Sequence, residues 1–393
     1  MKKLILAAFL FVSTMSTSTL ADIKMGIILG FTGPIESLTP AMAGSAELAF
    51  KEASDSGKLL GGETISVERA DSTCVDSAAA TSAAEGLVAN GVVAIMGADC
   101  SGVTGAIATN VAVPNGVVMV SPSATSPGLT DLNDNGYFFR TAPSDARGGQ
   151  ILADITKDRK VKSVAITYTN NDYGKGLADV YKAAVEAHGI KVTTVAAHED
   201  GKADYSAEVA TLASAGGDAV AVIGYIDQGG KGIIQASLDS GAFDVFILSD
   251  GMIGDSLTDN FGKALNKSFG SLPGSTGKGA GVFADVAKAA GIDSSGPYTG
   301  ESYDAAALIT LAMQAGGKAD RATVQQNVMS VANAPGKKIY PGELKKALDL
   351  LASGKAVNYE GASSVELTDV GEASGAFIEK EIKGGKFKDK KQR

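Results

Sequence analysis

Polar side chains suited to binding a small molecule follow two predicted strands in the first part of the chain. The apolar run 92–96 ends shortly before Ser101, and the apolar run 117–120 ends directly before the segment 121–127, which contains Thr125. Ligands of open α/β sheets bind outside the carboxyl ends of the strands. Hydroxyl groups and the unpaired N–H groups at a helix start suit a carboxylate. These residues therefore predict a pocket for a small anionic or zwitterionic molecule on which no chemistry is done.

Three polar residues in the second part of the chain follow the same pattern. Tyr173 lies just before the predicted helix 176–188, and Tyr225 and Asp250 come directly after predicted strands. Each of them alone is more simply explained as ordinary loop polarity. Together with the hydroxyl groups of the first part, however, they offer partners for a carboxylate, an ammonium and an apolar stem. A carboxylate that faces an ammonium in a dry cleft makes a strong charge-assisted contact.

The residues that catalysis would need do not occur in recognisable patterns. The chain has two histidines. His188 lies near the end of a predicted helix, where it suits the helix dipole, and His198 falls in a predicted polar loop; neither has a nucleophile at a spacing typical of catalysis. No phosphate-binding glycine motif follows a strand, and no residues have metal-ligand spacing. We therefore expect no enzyme activity, no cofactor and no metal.

The N-terminus indicates export. Two lysines precede the apolar run 4–12, and small residues lead to a cleavage site near Ala21. That run is too short to span a bilayer, so residues 1–21 are predicted to be a cleaved secretory signal peptide, with a retained membrane anchor as the alternative. No later run of ~18 apolar residues predicts a membrane span. Because residue 22 is Asp rather than the Cys of a lipoprotein, we expect the periplasm as the location.

Charge and cysteine content narrow the range of partners and folds. The chain carries 44 acidic and 35 basic residues, a formal net charge of −9, which argues against nucleic acid as a partner. The lysine-rich end, residues 383–393, is predicted to be a solvated, frayed tail rather than a binding patch. Two cysteines, Cys74 and Cys100, suggest one disulfide in an exported protein; two buried free thiols are the alternative.

Strand and helix signals alternate through two successive parts of the chain. The first part extends from the strand 23–29 to the strand 137–141, and the second repeats the pattern over 163–248. Repeated βα units of this length predict parallel sheets with helices on both faces. A Gly/Ser/Pro-rich connector is predicted at 271–281, followed by further helices and a closing strand at 374–382. Two α/β halves with several crossings between them predict a hinged pair of lobes.

Several short motifs carry a family resemblance. They are Asp22-Ile23-Lys24, Thr32-Gly33-Pro34, Asp71-Ser72-Thr73-Cys74 with Cys100-Ser101, Ser121-Pro122-Ser123-Ala124-Thr125-Ser126-Pro127, Asp172-Tyr173-Gly174-Lys175-Gly176 and Tyr303-Asp304-Ala305. With these motifs the chain resembles periplasmic amino-acid-binding proteins of the branched-chain (leucine/isoleucine/valine) type, which are receptors of ABC importers. The resemblance covers essentially the whole mature length.

The resemblance implies a type I periplasmic binding protein fold, in which two doubly wound lobes are joined by a three-segment hinge. The lobes that it implies are 22–141 with 272–357 for lobe 1, and 142–271 with 358–393 for lobe 2. It also implies a disulfide between Cys74 and Cys100.

The resemblance further implies a set of ligand-binding residues: Ser101, Ser123, Thr125, Tyr173, Tyr225, Asp250 and Tyr298. The three hydroxyl residues would hold the α-carboxylate of the ligand, partly through main-chain donors, and Asp250 would pair with its α-ammonium. Tyr173 and Tyr225 would line the second lobe. Tyr298 lies near the place where the family has an aromatic contact to the ligand side chain.

Three departures from the leucine-type receptor bear on the ligand. Leu38 or a neighbour stands where that receptor has an aromatic residue, and Asp250 stands where it has the longer Glu. Glu301 is an additional acid; at a helix start it is expected to face solvent, whereas an inward position would allow a ligand with a second positive charge. Whether Glu301 or Asp227 enters the pocket is left open by the sequence.

These features predict a monomeric, periplasmic solute-binding receptor of an ABC importer. It would capture a small amino acid by hinge closure and pass it to a membrane permease, without inserting stably into the membrane. One alternative keeps the fold but changes the solute to an amide, a urea-like compound or another polar metabolite. The other is a periplasmic sensor module or an enzyme that uses the same cleft.

Overall fold

The computed structural model describes residues 22–393. The predicted signal peptide, residues 1–21, lies outside the described residues. Within 22–393, none of the helices is both long enough and apolar enough to span a bilayer.

The strands of the described residues are β1 Asp22–Leu29, β2 Thr64–Asp71, β3 Ala94–Gly97, β4 Val118–Ser121, β5 Phe138–Arg140, β6 Ser163–Thr169, β7 Lys191–His198, β8 Ala219–Ile223, β9 Phe246–Leu248, β10 Phe269–Pro273, β11 Lys337–Ile339, β12 Val357–Tyr359, β13 Phe377–Lys383 and β14 Lys386–Gln392. The α-helices are α1 Thr39–Asp55, α2 Ser77–Ala89, α3 Ser101–Ile107, α4 Val113–Asn115, α5 Asp145–Asp158, α6 Asp172–Ala187, α7 Ser206–Ala215, α8 Gly229–Ser240, α9 Asp255–Phe261, α10 Lys278–Ala289, α11 Thr299–Gly316, α12 Arg321–Ala332 and α13 Leu344–Ala352.

The first sheet is parallel and has the strand order β2-β1-β3-β4-β5. Its strands are covered on both faces, because neighbouring side chains of β1 enter different cores. Ile27 belongs to a cluster with residues of α1 and α11, and Ile28 belongs to a cluster with residues of α2 and α3. Burial on both faces explains why these strands appear in the sequence as short, continuous apolar runs.

The second sheet has the strand order β14-β13-β10-β9-β8-β6-β7. Its central strands are parallel, whereas β13 pairs antiparallel with β10 and with β14. A third, two-stranded sheet joins β11 to β12. Parallel strands alternating with helices confirm the α/β class that the βα pattern predicts.

The chain passes between the two large sheets in three stretches. The first, 141–144, connects β5 to α5; the second, 274–277, connects β10 to α10; and the third, 360–376, connects β12 to β13. The third stretch is fixed by Asp304, whose carboxylate accepts hydrogen bonds from the N–H groups of Ala362 and Ser363 at 2.8 Å each. All of these bonds are buried, so the carboxylate holds the turn at a defined place on α11.

Two sequence predictions for the later part of the chain are corrected by the structure. The connector predicted at 271–281 is limited to 274–277, because the flanking residues belong to the end of β10 and the start of α10. Residues 383–393 are not a frayed tail, because Gly384 and Gly385, with φ of 67° and 77°, turn the chain so that β14 pairs with β13. The lysines of β14 lie on the sheet edge, where charge discourages pairing with another chain.

The disulfide between Cys74 and Cys100 confirms the predicted bridge. It links the loop after β2 to the residue that precedes α3, with a Cα–Cα distance of 5.1 Å and a sequence separation of 26 residues. Closing a loop of this length stabilises the fold by about 3.5 kcal/mol in the chain-entropy description. The bridge also fixes the backbone next to Ser101.

Candidate ligand-binding site

The carboxyl ends of strands from both large sheets meet at a small cavity. Its lining includes most of the predicted ligand-binding residues: Ser101, Ser123, Tyr173, Tyr225, Asp250 and Tyr298. The other lining residues are Ile35, Leu38, Met42, Asp99, Cys100 and Gly251. The strand-end pattern thus brings residues together that are distant in sequence. A larger surface cavity of about 710 Å³ contains none of them.

The cavity measures about 30 Å³. This volume holds roughly one or two water molecules, so a ligand of amino-acid size requires the surrounding groups to separate. We use the word layer for one large sheet together with the helices that pack on it. The structure therefore represents a contracted arrangement of the two layers. A direct bridge between the layers supports this description, because the Ser126 hydroxyl donates a hydrogen bond to the Asp172 carbonyl at 3.1 Å.

Asp250 is the carboxylate of the cavity, and two tyrosines hold it. It follows β9 and is 7% exposed. The Tyr173 hydroxyl donates to Asp250 Oδ1 at 2.7 Å, and the Tyr298 hydroxyl donates to Asp250 Oδ2. Burial raises the pKa of Asp250, and the two tyrosine hydrogen bonds limit that rise. The arrangement keeps a buried carboxylate in place for a cationic partner.

Tyr298 reaches Asp250 from an unusual backbone conformation. It is the N-cap of α11 and has a φ of 59°, in the left-handed region that side chains other than glycine rarely adopt. Its ring is buried. Strained backbone of this kind persists where the surroundings hold it, and it is common at binding sites.

The hydroxyl residues of the first layer occupy three different situations. Ser101 Oγ accepts a hydrogen bond from the N–H of Ser126 at 3.0 Å, which leaves its own proton free to donate to a ligand. Ser123 Oγ donates to the Asp99 carbonyl at 3.0 Å. Thr125 does not line the cavity, and its buried hydroxyl has no hydrogen-bond partner among residues 22–393. Ser101 is therefore the best placed of the three to bind an anion.

Tyr225 forms an aromatic wall with Tyr173. Their rings stack with centroids 5.3 Å apart and an angle of 19° between the planes. The Tyr225 hydroxyl accepts a hydrogen bond from Asn171 Nδ2 at 3.3 Å. Both tyrosines are buried, and burial raises the pKa of each well above its usual value, so both hydroxyls stay protonated and can donate.

Two buried acids near the cavity were missed by the sequence analysis. Asp99 lies two residues after the end of β3, a position that could have drawn attention to it. Its carboxylate accepts hydrogen bonds from the N–H of Gly30 at 2.6 Å and from the Ser72 hydroxyl at 3.0 Å. It ties three strand ends together, which is a structural role. The second acid, Asp145, is different in kind.

Asp145 begins α5 and is 3% exposed, but its Oδ2 atom has no hydrogen-bond partner among the described residues. Burial and the nearby charge of Asp250 raise the pKa of Asp145 well above its usual value. A buried carboxylate atom without a partner is costly. The sequence indicates for Asp145 at most a helix-capping role, and that role belongs to Ser144, whose hydroxyl accepts from the N–H of Ala146.

Two further expectations are corrected by the structure. Glu301 does not face solvent: it is 5% exposed, and burial raises its pKa to about 8. It lines a second cavity rather than the one at Asp250. His198 is not in a loop but ends β7, where it is buried and its Nδ1 lies 2.8 Å from the Thr167 hydroxyl. Burial lowers the pKa of His198 to about 4, so it is neutral at physiological pH.

The remaining polar groups have structural partners. His188 is the C-cap of α6, and its Nε2 lies 2.7 Å from Asp154. Asp227 is not part of the cavity lining. No group of three or more potential metal-ligating side chains occurs within the part of the chain that the structure describes.

Two α/β layers whose strand ends face each other across a buried polar cleft define a class of two-lobed ligand-binding proteins. The family described as periplasmic binding protein matches residues 22–339. The chain belongs to this family. The resemblance inferred from the motifs is confirmed at this level.

Curated relatives carry amino-acid-binding names. A protein named Leu/Ile/Val-binding protein homolog 3 from Brucella melitensis is 33% identical over 223 residues, which are 55% of this chain and 58% of the relative. The match therefore spans less than two thirds of that relative's length. A leucine-, isoleucine-, valine-, threonine- and alanine-binding protein of Pseudomonas aeruginosa is 29% identical over 78% of this chain and 82% of its own length.

Solved structures show the same fold over nearly the whole chain. A leucine binding protein, LivK, from Thermotoga maritima superposes with a TM-score of 0.79 at 22% identity and covers 94% of this chain and 98% of its own. A solute binding protein from R. palustris in complex with benzoate superposes with a TM-score of 0.75 at 18% identity, with coverage of 95% and 96%. The chain has the type I periplasmic binding protein fold.

Proposed function

We propose that this protein is the periplasmic solute-binding receptor of an ABC importer and that its solute is a small amino acid. The observation that carries the proposal is the buried Asp250 carboxylate, held by two tyrosine hydroxyls beside Ser101, whose hydroxyl proton is free to donate. A cationic group and an anionic group a few bonds apart fit these two positions. The ligand is bound and released unchanged.

In this proposal each lining group has a defined role. Asp250 pairs with the α-ammonium, whose charge would also favour ionisation of the neighbouring Asp145. Ser101, with Ser123 and Thr125 nearby, holds the α-carboxylate. The apolar stem of the ligand lies against the wall formed by Ile35, Leu38 and Met42.

The apolar wall favours an aliphatic rather than an aromatic ligand side chain. Ile35, Leu38 and Met42 form this wall, and Tyr173, Tyr225 and Tyr298 also line the cavity. A branched-chain amino acid has an ammonium for Asp250, a carboxylate for Ser101 and an aliphatic side chain for the apolar wall. The names of the curated relatives agree with this class of ligand.

The mechanism we propose is hinge closure. The lobes are taken as 22–141 with 272–357 and 142–271 with 358–393, with the later two boundaries moved to the crossing stretches 274–277 and 360–376 so that β10 and β12 stay whole. Opening exposes the strand ends, the ligand bridges them, and its contacts to both layers shift the population toward the closed form. A membrane permease then recognises the closed, loaded receptor, which acts as a monomer.

Isothermal titration calorimetry tests the proposal. Leucine, isoleucine and valine should bind to the protein after it has been unfolded and refolded to remove any co-purified solute. Their amides, which lack the carboxylate, should bind at least tenfold more weakly, and so should benzoate, which lacks the ammonium. Equal affinity for the amides would favour the alternative of an amide or urea-like solute. Tight binding of benzoate alone would contradict the amino-acid assignment.

A further inference from the structure

A second cavity, which we call the hinge cavity, adjoins the ligand site. It measures about 510 Å³ and is lined by residues of β10, β13 and β14 from the second sheet and by residues of α10 and α11. Ala362 and Ser363 of the third crossing stretch also line it. Tyr298 lines both this cavity and the ligand cavity, so the two cavities share this side chain.

Glu301 contributes the polar group that distinguishes the hinge cavity. It lies in the first turn of α11 and is 5% exposed. Its backbone carbonyl is fixed by a hydrogen bond from the Thr141 hydroxyl at 2.9 Å. Its carboxyl group, in contrast, makes no hydrogen bond to another residue within 22–393. The side chain lines the hinge cavity, and burial raises the pKa of Glu301 to about 8.

The other charged groups that line the hinge cavity do not neutralise Glu301. Lys380 pairs with Asp389 at 2.5 Å, so its charge is already compensated. Lys388 and Asp255 are exposed to solvent. The charged group that acts on Glu301 is Asp304, whose negative charge contributes to the raised pKa of Glu301. A cation would satisfy Glu301 where an anion would not.

Apolar side chains complete the surroundings of Glu301. Leu272, Phe283, Ile378 and Phe387 line the same cavity, and Phe283 is itself held against Tyr303 with ring centroids 5.5 Å apart. A carboxyl group at the base of a partly apolar cavity suits an ammonium on a short hydrocarbon stem, because the ammonium supplies several donors to the unpartnered oxygens and the stem buries apolar surface.

We propose that the hinge cavity is a second binding site, for a small primary ammonium compound whose charged group pairs with Glu301 and whose stem packs against Phe283 and Leu272. Its lining comes from the second sheet and from α11, which packs on α1 of the first layer. An occupant therefore contacts both layers. If the occupant of the hinge cavity changes the affinity for the first ligand by some factor, the first ligand changes the affinity for that occupant by the same factor.

The probe for the test is n-butylammonium chloride, titrated calorimetrically into the full-length mature protein at pH 9, where Glu301 is mostly ionised. Binding should weaken at least tenfold in Glu301→Gln, which keeps the shape of the side chain. It should change less than twofold in Asp250→Asn, the matched variant of the first site. It should also weaken at least tenfold in the wild type at pH 6, where Glu301 is protonated.

n-Butanol provides a control that needs no variant. It has the same stem without the charge, so it should bind the wild-type protein at least tenfold more weakly than the ammonium probe does. The proposal is overturned if the probe does not bind, if Glu301→Gln binds it as well as the wild type does, or if Asp250→Asn abolishes the binding. The last result would assign the probe to the first site and would leave the proposed receptor function intact.

Discussion

The carboxylate of Asp227 accepts a hydrogen bond from the backbone N–H of Ser37 at 2.9 Å, although the two residues follow strands of different sheets. The backbone N–H of Asp227 donates in turn to the Pro34 carbonyl at 3.0 Å. The second carboxylate oxygen accepts from the Ser256 hydroxyl at 3.2 Å. These contacts join the loop after β1 to the loop after β8, so the protein itself contributes to closing the cleft.

Asp227→Ala is expected to weaken ligand binding about fivefold. A hydrogen bond to a charged group contributes about 1.5–3 kcal/mol when buried; Asp227 is only half-buried, so we take about 1 kcal/mol, which is roughly fivefold in affinity. The affinity falls because the closed form loses a stabilising hydrogen bond, and not because a contact to the ligand is lost. Small-angle scattering of the protein without ligand should therefore show a more open average shape.

The matched control for Asp227→Ala is Asp259→Ala, an exposed acid on the neighbouring helix α9. It should leave both affinity and scattering unchanged. If Asp227→Ala binds ligand as the wild type does and scatters identically, the contact to Ser37 does not contribute to closure.

Asp250→Asn is expected to reduce the affinity for an amino acid at least tenfold, which corresponds to about 1.4 kcal/mol or more. The substitution keeps the size of the side chain and its acceptor for a tyrosine hydroxyl, but it removes the charge that pairs with the ammonium. Calorimetry with the best amino-acid ligand measures the effect. Asp239→Asn, on the exposed face of α8, serves as control, and an unchanged affinity in Asp250→Asn would remove Asp250 from the site.

Most strands of the fold could be predicted because a strand buried on both faces must be a short apolar run. Four strands were missed: the short β11 and β12 of the third sheet, and β10 and β14 of the second sheet, whose side chains do not follow this rule. β10 begins Phe269-Gly270-Ser271 and ends in Pro273, so it is not a continuous apolar run. Gly270 is needed there because it packs directly against the backbone of Leu248. β14 is an edge strand rich in lysine, and its partner β13 supplies the pairing that its own composition does not indicate.

The site was predictable to the extent that its residues follow strand ends. Ser101, Tyr225 and Asp250 each lie within four residues of the end of a strand, and parallel topology then brings them to one place. Asp145 follows no such pattern, because its closeness to Asp250 arises from a chain crossing. The burial of Glu301 likewise depends on how α11 packs against the second sheet. The sequence does not show this packing, so an acid at a helix start is expected to face solvent.

Removal of the disulfide is expected to lower the free energy of unfolding by about 3 kcal/mol. The double variant Cys74→Ser, Cys100→Ser and the wild type in reducing agent should give the same lowered urea midpoint. Ligand affinity should fall as well, because Cys100 directly precedes Ser101 and the bridge fixes its backbone. Equal midpoints with and without reducing agent would show that the bridge does not constrain the unfolded chain.

Asp145→Asn is expected to raise the melting temperature of the ligand-free protein while weakening amino-acid binding about threefold to tenfold. The substitution removes a buried carboxyl group whose ionisation is opposed by burial and by Asp250. In the loaded site the ammonium of the ligand favours the ionised form of Asp145, so the acid contributes to binding. Asp131→Asn, at an exposed position of the first layer, should change neither quantity. A higher melting temperature with unchanged affinity would limit Asp145 to a structural effect.

Glu301→Gln is expected to become more stable relative to the wild type as pH rises from about 4.5 to about 8. The folded-state pKa of about 8 lies above the ordinary value of 4.5, so the unfolded chain releases this proton first. Wild-type stability from this group is therefore fully retained below about pH 4.5 and falls as pH rises, by up to about 1.4 kcal/mol per pH unit, until it levels off above pH 8. Urea unfolding of both proteins at pH 5, 7 and 9 should give a difference that grows with pH, whereas Glu85→Gln, exposed on α2, should show none. A difference that stays constant from pH 5 to 9 would mean that the Glu301 carboxyl group is not held away from water.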